Sequence, residues 1–207
     1  MFDVLAHDCD DGAARLRVVG ADGQIDLEAA EQAVSDLLTA FGRDPASEHL
    51  AATPRRVAHA FREMLTPRSF DLTTFPNDEG YQDLVLARDI PFQSLCEHHL
   101  LPFRGVAHVG YIPDVRILGL SKLARVVELF ASDLQVQERL TQQVANWLDE
   151  HVSPKGVGVV VEAEHLCMSL RGVRAHGSRT ITSAVHGLLR DDARSRQEFF
   201  ALTTNSH

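Results

Sequence analysis

The chain has 207 residues, 44% of them hydrophobic and 24% charged, with 8 proline and 13 glycine. That composition excludes the disordered, collagen-like and coiled-coil classes and predicts one globular domain, at most two. A formal charge of −9 with 11 histidines counted as neutral argues against a nucleic-acid binder with a basic face, so any anion must be met by a local cluster of Lys and Arg.

Residues 1–24 are rich in Asp, Gly and Ala, lack sustained periodicity and end in the turn-like Gly20-Ala-Asp-Gly23; they read as a loose N-terminal arm. From Leu27 to Phe41 the apolar residues Leu27, Ala30, Val34, Leu37, Leu38 and Phe41 recur at helical spacing, with Asp26 placed to cap the start and Gly42 the end. Thr53-Pro54 pairs a capping hydroxyl with a proline at the first helical position, and Val57, Phe61, Met64 and Leu65 form one face of the helix it opens. An N-terminal helical part over residues 25–75 follows.

Leu84 to Leu95 and Arg104 to Ile112 are strand-like runs whose pairing predicts antiparallel strands. Ser121 stands where an N-cap belongs, with Leu123, Val126, Val127, Phe130 and Leu134 behind it. Leu140, Val144, Trp147 and Leu148 mark another helix, ending near Ser153-Pro154, and Gly156 to Glu162 and Arg179 to Val185 return to strand. The order helix, helix, strands, helix, helix, strands is that of an α+β fold and not of a doubly wound α/β fold.

The N-terminus is acidic and lacks the charged and apolar regions of a secretory signal, and no apolar run reaches membrane-spanning length. Three scattered cysteines, Cys9, Cys96 and Cys167, are an odd number. Together these features predict reduced thiols in a cytoplasmic protein with no membrane partner. A chain of this size builds a core without metal staples, so a metal is expected to serve chemistry rather than folding.

The densest chemical cluster is Ser94-Leu-Cys-Glu-His-His-Leu-Leu-Pro-Phe-Arg-Gly105, where Cys96 and His99 have a spacing that lets a single turn offer thiolate and imidazole to one zinc ion. Glu162-Ala-Glu-His-Leu-Cys-Met-Ser-Leu-Arg-Gly172 adds His165 and Cys167 at the end of an apolar strand. Two Cys and one His leave a fourth coordination position for water, whereas a structural site closes with four protein ligands; His98 and His165 are then free for proton transfer. Singly, each of these residues reads better as a buried small hydrophobe or an ordinary histidine, and it is the constellation that points to a metal. Ser121, Lys122 and Arg125 gather a hydroxyl and two cations at a helix start, either a phosphate seat or a cap with solvated charges. Glu138 is similarly either a ligand-reading carboxylate or a solvated first-turn charge.

In this order and spacing the clusters resemble the GTP cyclohydrolase I family. The resemblance runs from Ile25 to Phe200 through Thr53-Pro-Arg-Arg-Val-Ala58, Asp78-Glu-Gly-Tyr81, Cys96-Glu-His-His99, Pro102-Phe-x-Gly105, His108-Val-Gly-Tyr-Ile-Pro113, Gly119-Leu-Ser-Lys-x-Ala-Arg-Val-Val127, Gln135-Val-Gln-Glu-Arg-Leu-Thr141, His165-x-Cys-Met168, Arg171-Gly-Val173 and Thr182-Ser183. It implies a T-fold catalytic domain over residues 76–207, an antiparallel sheet with two helices on one face, assembled as a homodecamer with active sites at subunit contacts.

The resemblance further implies zinc on Cys96, His99 and Cys167, and proton transfer by His98 and His165. It assigns the triphosphate to Ser121, Lys122, Arg125 and Arg171, with one of Arg55 and Arg56 reaching a neighbouring subunit's phosphates, and guanine recognition to Gln137 and Glu138. The implied reaction is hydrolytic opening of the guanine imidazole ring of GTP, release of formate, and rearrangement to dihydroneopterin triphosphate. In it His98 protonates N7, His165 assists ribose opening, and Glu97 supports its neighbours without ligating the metal. Many family members carry Lys where this chain has Ala175 and an aromatic where it has Gln93, departures that bear on efficiency or exact substrate. The alternatives are a modified guanine nucleotide, arrest after ring opening, or a zinc-bound nucleotide-sensing scaffold; the presence of His98, His165 and Ser121 speaks for catalysis.

Overall fold

The computed structural model describes residues 3–7, 14–19 and 25–204. Cys9 and the Gly20–Gly23 turn lie outside the described residues. The elements run β1 (Asp3–His7), β2 (Ala14–Val19), α1 (Leu27–Ala40), α2 (Thr53–Leu65), β3 (Phe70–Pro76), β4 (Val85–Cys96), β5 (Pro102–Ile112) and β6 (Arg116–Leu118). Then follow α3 (Ser121–Ala131), β7 (Leu134–Gln135), α4 (Gln137–Val152), β8 (Gly156–His165), α5 (Leu166–Ser169), β9 (Thr180–Gly187), α6 (Leu188–Asp191) and α7 (Ala193–Thr204). The fold is α+β.

Residues 25–66 form one compact unit and the other described residues another. In the smaller unit α1 and α2 pack together. Asp26 caps α1 as expected, its Oδ1 accepting from the Ala29 N–H at 2.9 Å, and Gly42 takes the positive φ that ends the helix. Two cap expectations are corrected: Thr53 and Ser121 are the first helical residues, and the cap positions, Ala52 and Leu120, make no side-chain bond. Pro54 still sits in the first turn, where a missing N–H costs nothing.

In the larger unit two segments of the expected loose arm are strands. Residues 3–7 and 14–19 pair with each other, and β2 pairs with β3, in a four-stranded antiparallel sheet of order β1-β2-β3-β6. The alternation Arg15-Leu-Arg-Val18 is the local strand signal, and its pairing partner, β3, lies far along the chain. All of β3 except Pro76 falls within the range expected to be helical.

The five-stranded sheet has the order β7-β4-β5-β8-β9, antiparallel except for β7 on β4. α3 packs on β4, and α4 on β8 and β9. Between them lie Phe103, Ala107 and Val109 of β5, Leu123, Val126 and Val127 of α3, Leu140, Val144 and Leu148 of α4, and Val157, Val159 and Val161 of β8. This periodic burial is why the two helices were legible in the sequence. A separate cluster joins Leu189 and Phe199 of the C-terminal helices to Ile112 and Val160. A Cβ on Gly158 would stand 2.7 Å from the Phe199 ring, so glycine is what lets that ring lie on the strand. No helix among the described residues is long and apolar enough to cross a membrane.

Candidate active site and metal centre

β4 ends at Cys96, where the chain reverses tightly. The Cys96 N–H donates to the Leu101 carbonyl and the Leu100 N–H returns to the Cys96 carbonyl, both at 2.9 Å, with Leu100 at φ +53°. The reversal leaves His98 and His99 exposed beside a buried thiol, with Cys96 Sγ 3.9 Å from His98 Nδ1 and 3.7 Å from His99 Nδ1. The register Phe103↔His165 lays the end of β8 against the start of β5, and α5 then turns Cys167 towards the same place. The ligand atoms of Cys96, His99 and Cys167 lie within 4.8 Å of one another.

Tetrahedral zinc with ordinary Zn–S and Zn–N bonds spaces its ligands by about 3.5–3.8 Å, so this set fits a small soft cation after a modest closing movement. The chemistry of the donors agrees: both cysteines are free, and burial together with the neighbouring Cys96 thiol pushes the Cys167 thiol up, while Arg171 pulls it down. The raised Cys167 thiol favours being neutral, a preference that a bound divalent cation reverses. Arg171 also stands with a guanidinium nitrogen 3.5 Å from His99 Nε2, at the exposed rim.

His165 is half-buried. Its ring stacks on Phe103 with centroids 4.6 Å apart and planes 2° from parallel, and its Nε2 lies 2.8 Å from Gln137 Oε1. Burial pushes its pKa down, and the Glu138 carboxylate opposes that shift. Glu138 itself is exposed in the first turn of α4. Gln137, by contrast, is 1% exposed, with its amide nitrogen on the Val161 and Thr180 carbonyls at 3.0 and 2.9 Å and on Thr182 Oγ1 at 3.2 Å.

Glu97 has one oxygen 3.7 Å from His98 Nε2 and the other on Arg139. Arg139 is held in turn by the Leu134 carbonyl at 2.7 Å and by Gln135 Oε1 at 3.0 Å.

Ser121, Lys122 and Arg125 lie together on the first turns of α3. Arg125 bonds Glu128 at 3.0 Å, and Arg68 grips the other oxygen of the same carboxylate. Burial works to raise the Glu128 pKa, yet the two guanidiniums together hold the carboxyl below its ordinary value. The C-terminal end of α3 leads into β7, which pairs with Leu95 and Cys96, so the first turn lies at the far end of an 11-residue helix from the thiols. A helix of that size is about 16 Å long. The structure therefore brings Cys96, His98, His99, His165, Cys167, Gln137 and Arg171 together and sets Ser121, Lys122 and Arg125 apart from them.

Sequence reasoning missed the support of this site: Phe103 under His165, Arg139 behind Glu97, and Arg68 with Glu128 behind Arg125. The Pro102-Phe-x-Gly105 station was the one available signal for Phe103. Of the two departures, Gln93 is an exposed strand residue opposite Arg104, and Ala175 is half-buried with its N–H on the Met168 carbonyl at 3.0 Å. Neither is one of the three donors.

A family model described as GTP cyclohydrolase I matches residues 30–204. The GTP cyclohydrolase 1 of Aquifex aeolicus (strain VF5) is 52% identical over 178 residues, covering 86% of this chain and 97% of its own. That of Streptomyces avermitilis is 55% identical over 188 residues, 88% of this chain and 93% of its own. That of Mycobacterium tuberculosis (strain ATCC 25618 / H37Rv) is 52% identical over 191 residues, 90% and 92% of the two chains. With similarity of this depth running through both cysteine clusters and nearly all of the folded chain, the chain belongs to the GTP cyclohydrolase I family.

Proposed function

We propose that this protein opens the imidazole ring of GTP by hydrolysis, releases C8 as formate and closes the product to 7,8-dihydroneopterin triphosphate. The observation that carries the reading is the convergence of two thiols and an imidazole within 4.8 Å, with the imidazoles of His98 and His165 beside them. Cys96, His99 and Cys167 would hold zinc, which when bound acidifies water towards neutrality for attack at purine C8. His98, exposed in the reversal and steadied by Glu97, delivers the proton to N7 that makes C8 electrophilic. His165 serves the later proton transfer at the ribose. Glu138 reads the adjacent donors at guanine N1 and the exocyclic amine, since a carboxylate accepts from both. Gln137, the other residue expected to read the base, has its side-chain amide engaged within the protein.

Ser121, Lys122, Arg125 and Arg171 would take the triphosphate. The helix length between the thiols and the first turn of α3 supports a site completed by a neighbouring copy, as does the exposure of the apolar Leu37 on α1 and Phe41 just past its end. One of Arg55 and Arg56 on α2 fits the same role towards a neighbour. The five-stranded sheet with α3 and α4 on one face supports reading residues 76–207 as a T-fold catalytic domain, and its open edge at β9 supports a decamer. Free Cys96 and Cys167 suit a cytoplasmic setting.

The test is incubation of zinc-loaded protein with GTP, reading formate release and the pterin chromophore, with light scattering for the assembly. Fully zinc-loaded protein that yields neither product overturns the activity, and a fully active monomer overturns the shared site.

A further inference from the structure

We propose that Gln137 is a positioning residue that selects the ring nitrogen of His165 used for proton transfer: Nε2–H is committed to Gln137, and Nδ1 is the atom that exchanges protons with substrate. The proposal rests on the proposed role of His165 and adds to it an atom and a cause.

The reasoning begins with the amide. Gln137 Nε2 lies 3.0 Å from the Val161 carbonyl oxygen and 2.9 Å from that of Thr180, on adjacent strands β8 and β9. Carbonyl oxygens only accept, so the nitrogen must face them. The flipped amide would set oxygen against two oxygens at those distances, in a site where Gln137 is 1% exposed and water cannot mediate.

The hydroxyls beside it agree. Thr141 Oγ1 donates to the main-chain carbonyl of Gln137 at 2.7 Å, so its hydrogen is spent and it must accept from Thr182 Oγ1 at 2.6 Å. Thr182 then has no hydrogen for Gln137 and can only accept, at 3.2 Å, a share of one of the two Nε2 hydrogens that the nearer carbonyls take. Every donor direction around the amide is thus decided by its neighbours, and Oε1 is left facing His165.

Oε1 has no hydrogen to give, so at 2.8 Å His165 Nε2 must be the donor. A neutral imidazole carries one N–H, and placing it on Nε2 leaves the lone pair on Nδ1. Phe103, stacked 2° from parallel with the ring, holds the ring plane, and rotating the imidazole half a turn would leave buried Oε1 without its donor. The contact to Gln137 is kept whether Nδ1 holds a proton or not, so the ring can give and take a proton at one atom without reorganising.

The experiment is solid-state ¹⁵N NMR of zinc-loaded, full-length protein labelled at histidine only, with the His165 signals assigned by their loss in His165→Asn. The expected spectrum of neutral His165 shows a protonated Nε2 and an unprotonated Nδ1; the opposite tautomer overturns the proposal. Gln137→Leu supplies the kinetic arm. A positioning role predicts a kcat lower by about 10- to 100-fold, with KM for GTP within about threefold and zinc retained. A rise in KM at unchanged kcat identifies Gln137 as a base reader and overturns the proposal. Should Gln137→Leu fail to fold, the parent spectrum alone decides. That spectrum needs no substrate, so inactivity of the parent protein towards GTP would sink the proposed function while the tautomer is judged separately.

Discussion

Replacing Phe103 separates what the core requires from what the site requires. The ring is 0% exposed and makes two aromatic contacts, stacked on His165 at 4.6 Å and edge-on to Phe92 at 5.9 Å and 75°. Phe103→Leu keeps an apolar side chain of similar reach but forfeits both contacts, each worth about 0.5–1.5 kcal/mol, so a loss of about 1–3 kcal/mol of stability is expected. Phe103→Ala also opens a cavity, and its expected cost is about 3–5 kcal/mol. The functional consequence is separate, because the ring also sets the plane of His165. Displacing a proton-transfer group by a fraction of its bond distance costs rate rather than affinity, so in Phe103→Leu kcat should fall about 10- to 100-fold at nearly constant KM. Urea unfolding at fixed protein concentration measures the first effect and steady-state kinetics with GTP the second. A Phe103→Leu protein with an unshifted midpoint and parental kcat would show that neither the stacking nor the ring alignment matters, and the reasoning would fail.

Replacing Cys96, His99 or Cys167 by Ala should abolish stoichiometric zinc while the circular dichroism of the fold persists, because the core between α3, α4 and the sheet, which includes Cys96 and Cys167 at one end, is built mainly of aliphatic and aromatic side chains; full zinc in Cys167→Ala by elemental analysis would refute the donor set. His98→Ala and His165→Ala should keep zinc and stop at different stages, one of them accumulating a formamide intermediate visible by mass spectrometry, and parental product rates in both would remove their assigned roles. Glu138→Gln should lower kcat/KM for GTP steeply and leave the poor turnover of ATP unchanged, since guanine presents two donors to the carboxylate and adenine does not. Glu128 has a folded pKa held low by Arg68 and Arg125. Its contribution is therefore complete above the ordinary carboxylate value and is lost as pH falls through the folded value; acid titration of stability should lose part of its slope in Glu128→Gln, and superimposable curves would contradict the pairing.

What could be read from the sequence was whatever repeats locally or clusters locally. The helices announced themselves because Leu123, Val126, Val127 and Phe130, or Leu140, Val144 and Leu148, recur at the period that buries one face. The donor set was legible because Cys96 and His99 share one reversal and Cys167 carries the same soft-ligand chemistry, a pattern few other sites want. The α+β class followed from the order of those elements.

Tertiary structure decided everything that depends on a partner from elsewhere in the chain. The strands at residues 3–7 and 14–19 have a sheet to join because β3 lies beside β2, a fact no window of the arm contains. The register Phe103↔His165 brings two distant clusters to one end of the sheet and lays one ring on the other. Gln137 shows the difference most clearly. By type and position it resembles a side chain that reads a base, but β8 and β9 bring two carbonyls and a hydroxyl to its nitrogen and leave its oxygen for His165. A residue's chemistry is written in its name, but a hydrogen bond has a direction only once both partners are in place, and that is settled by packing.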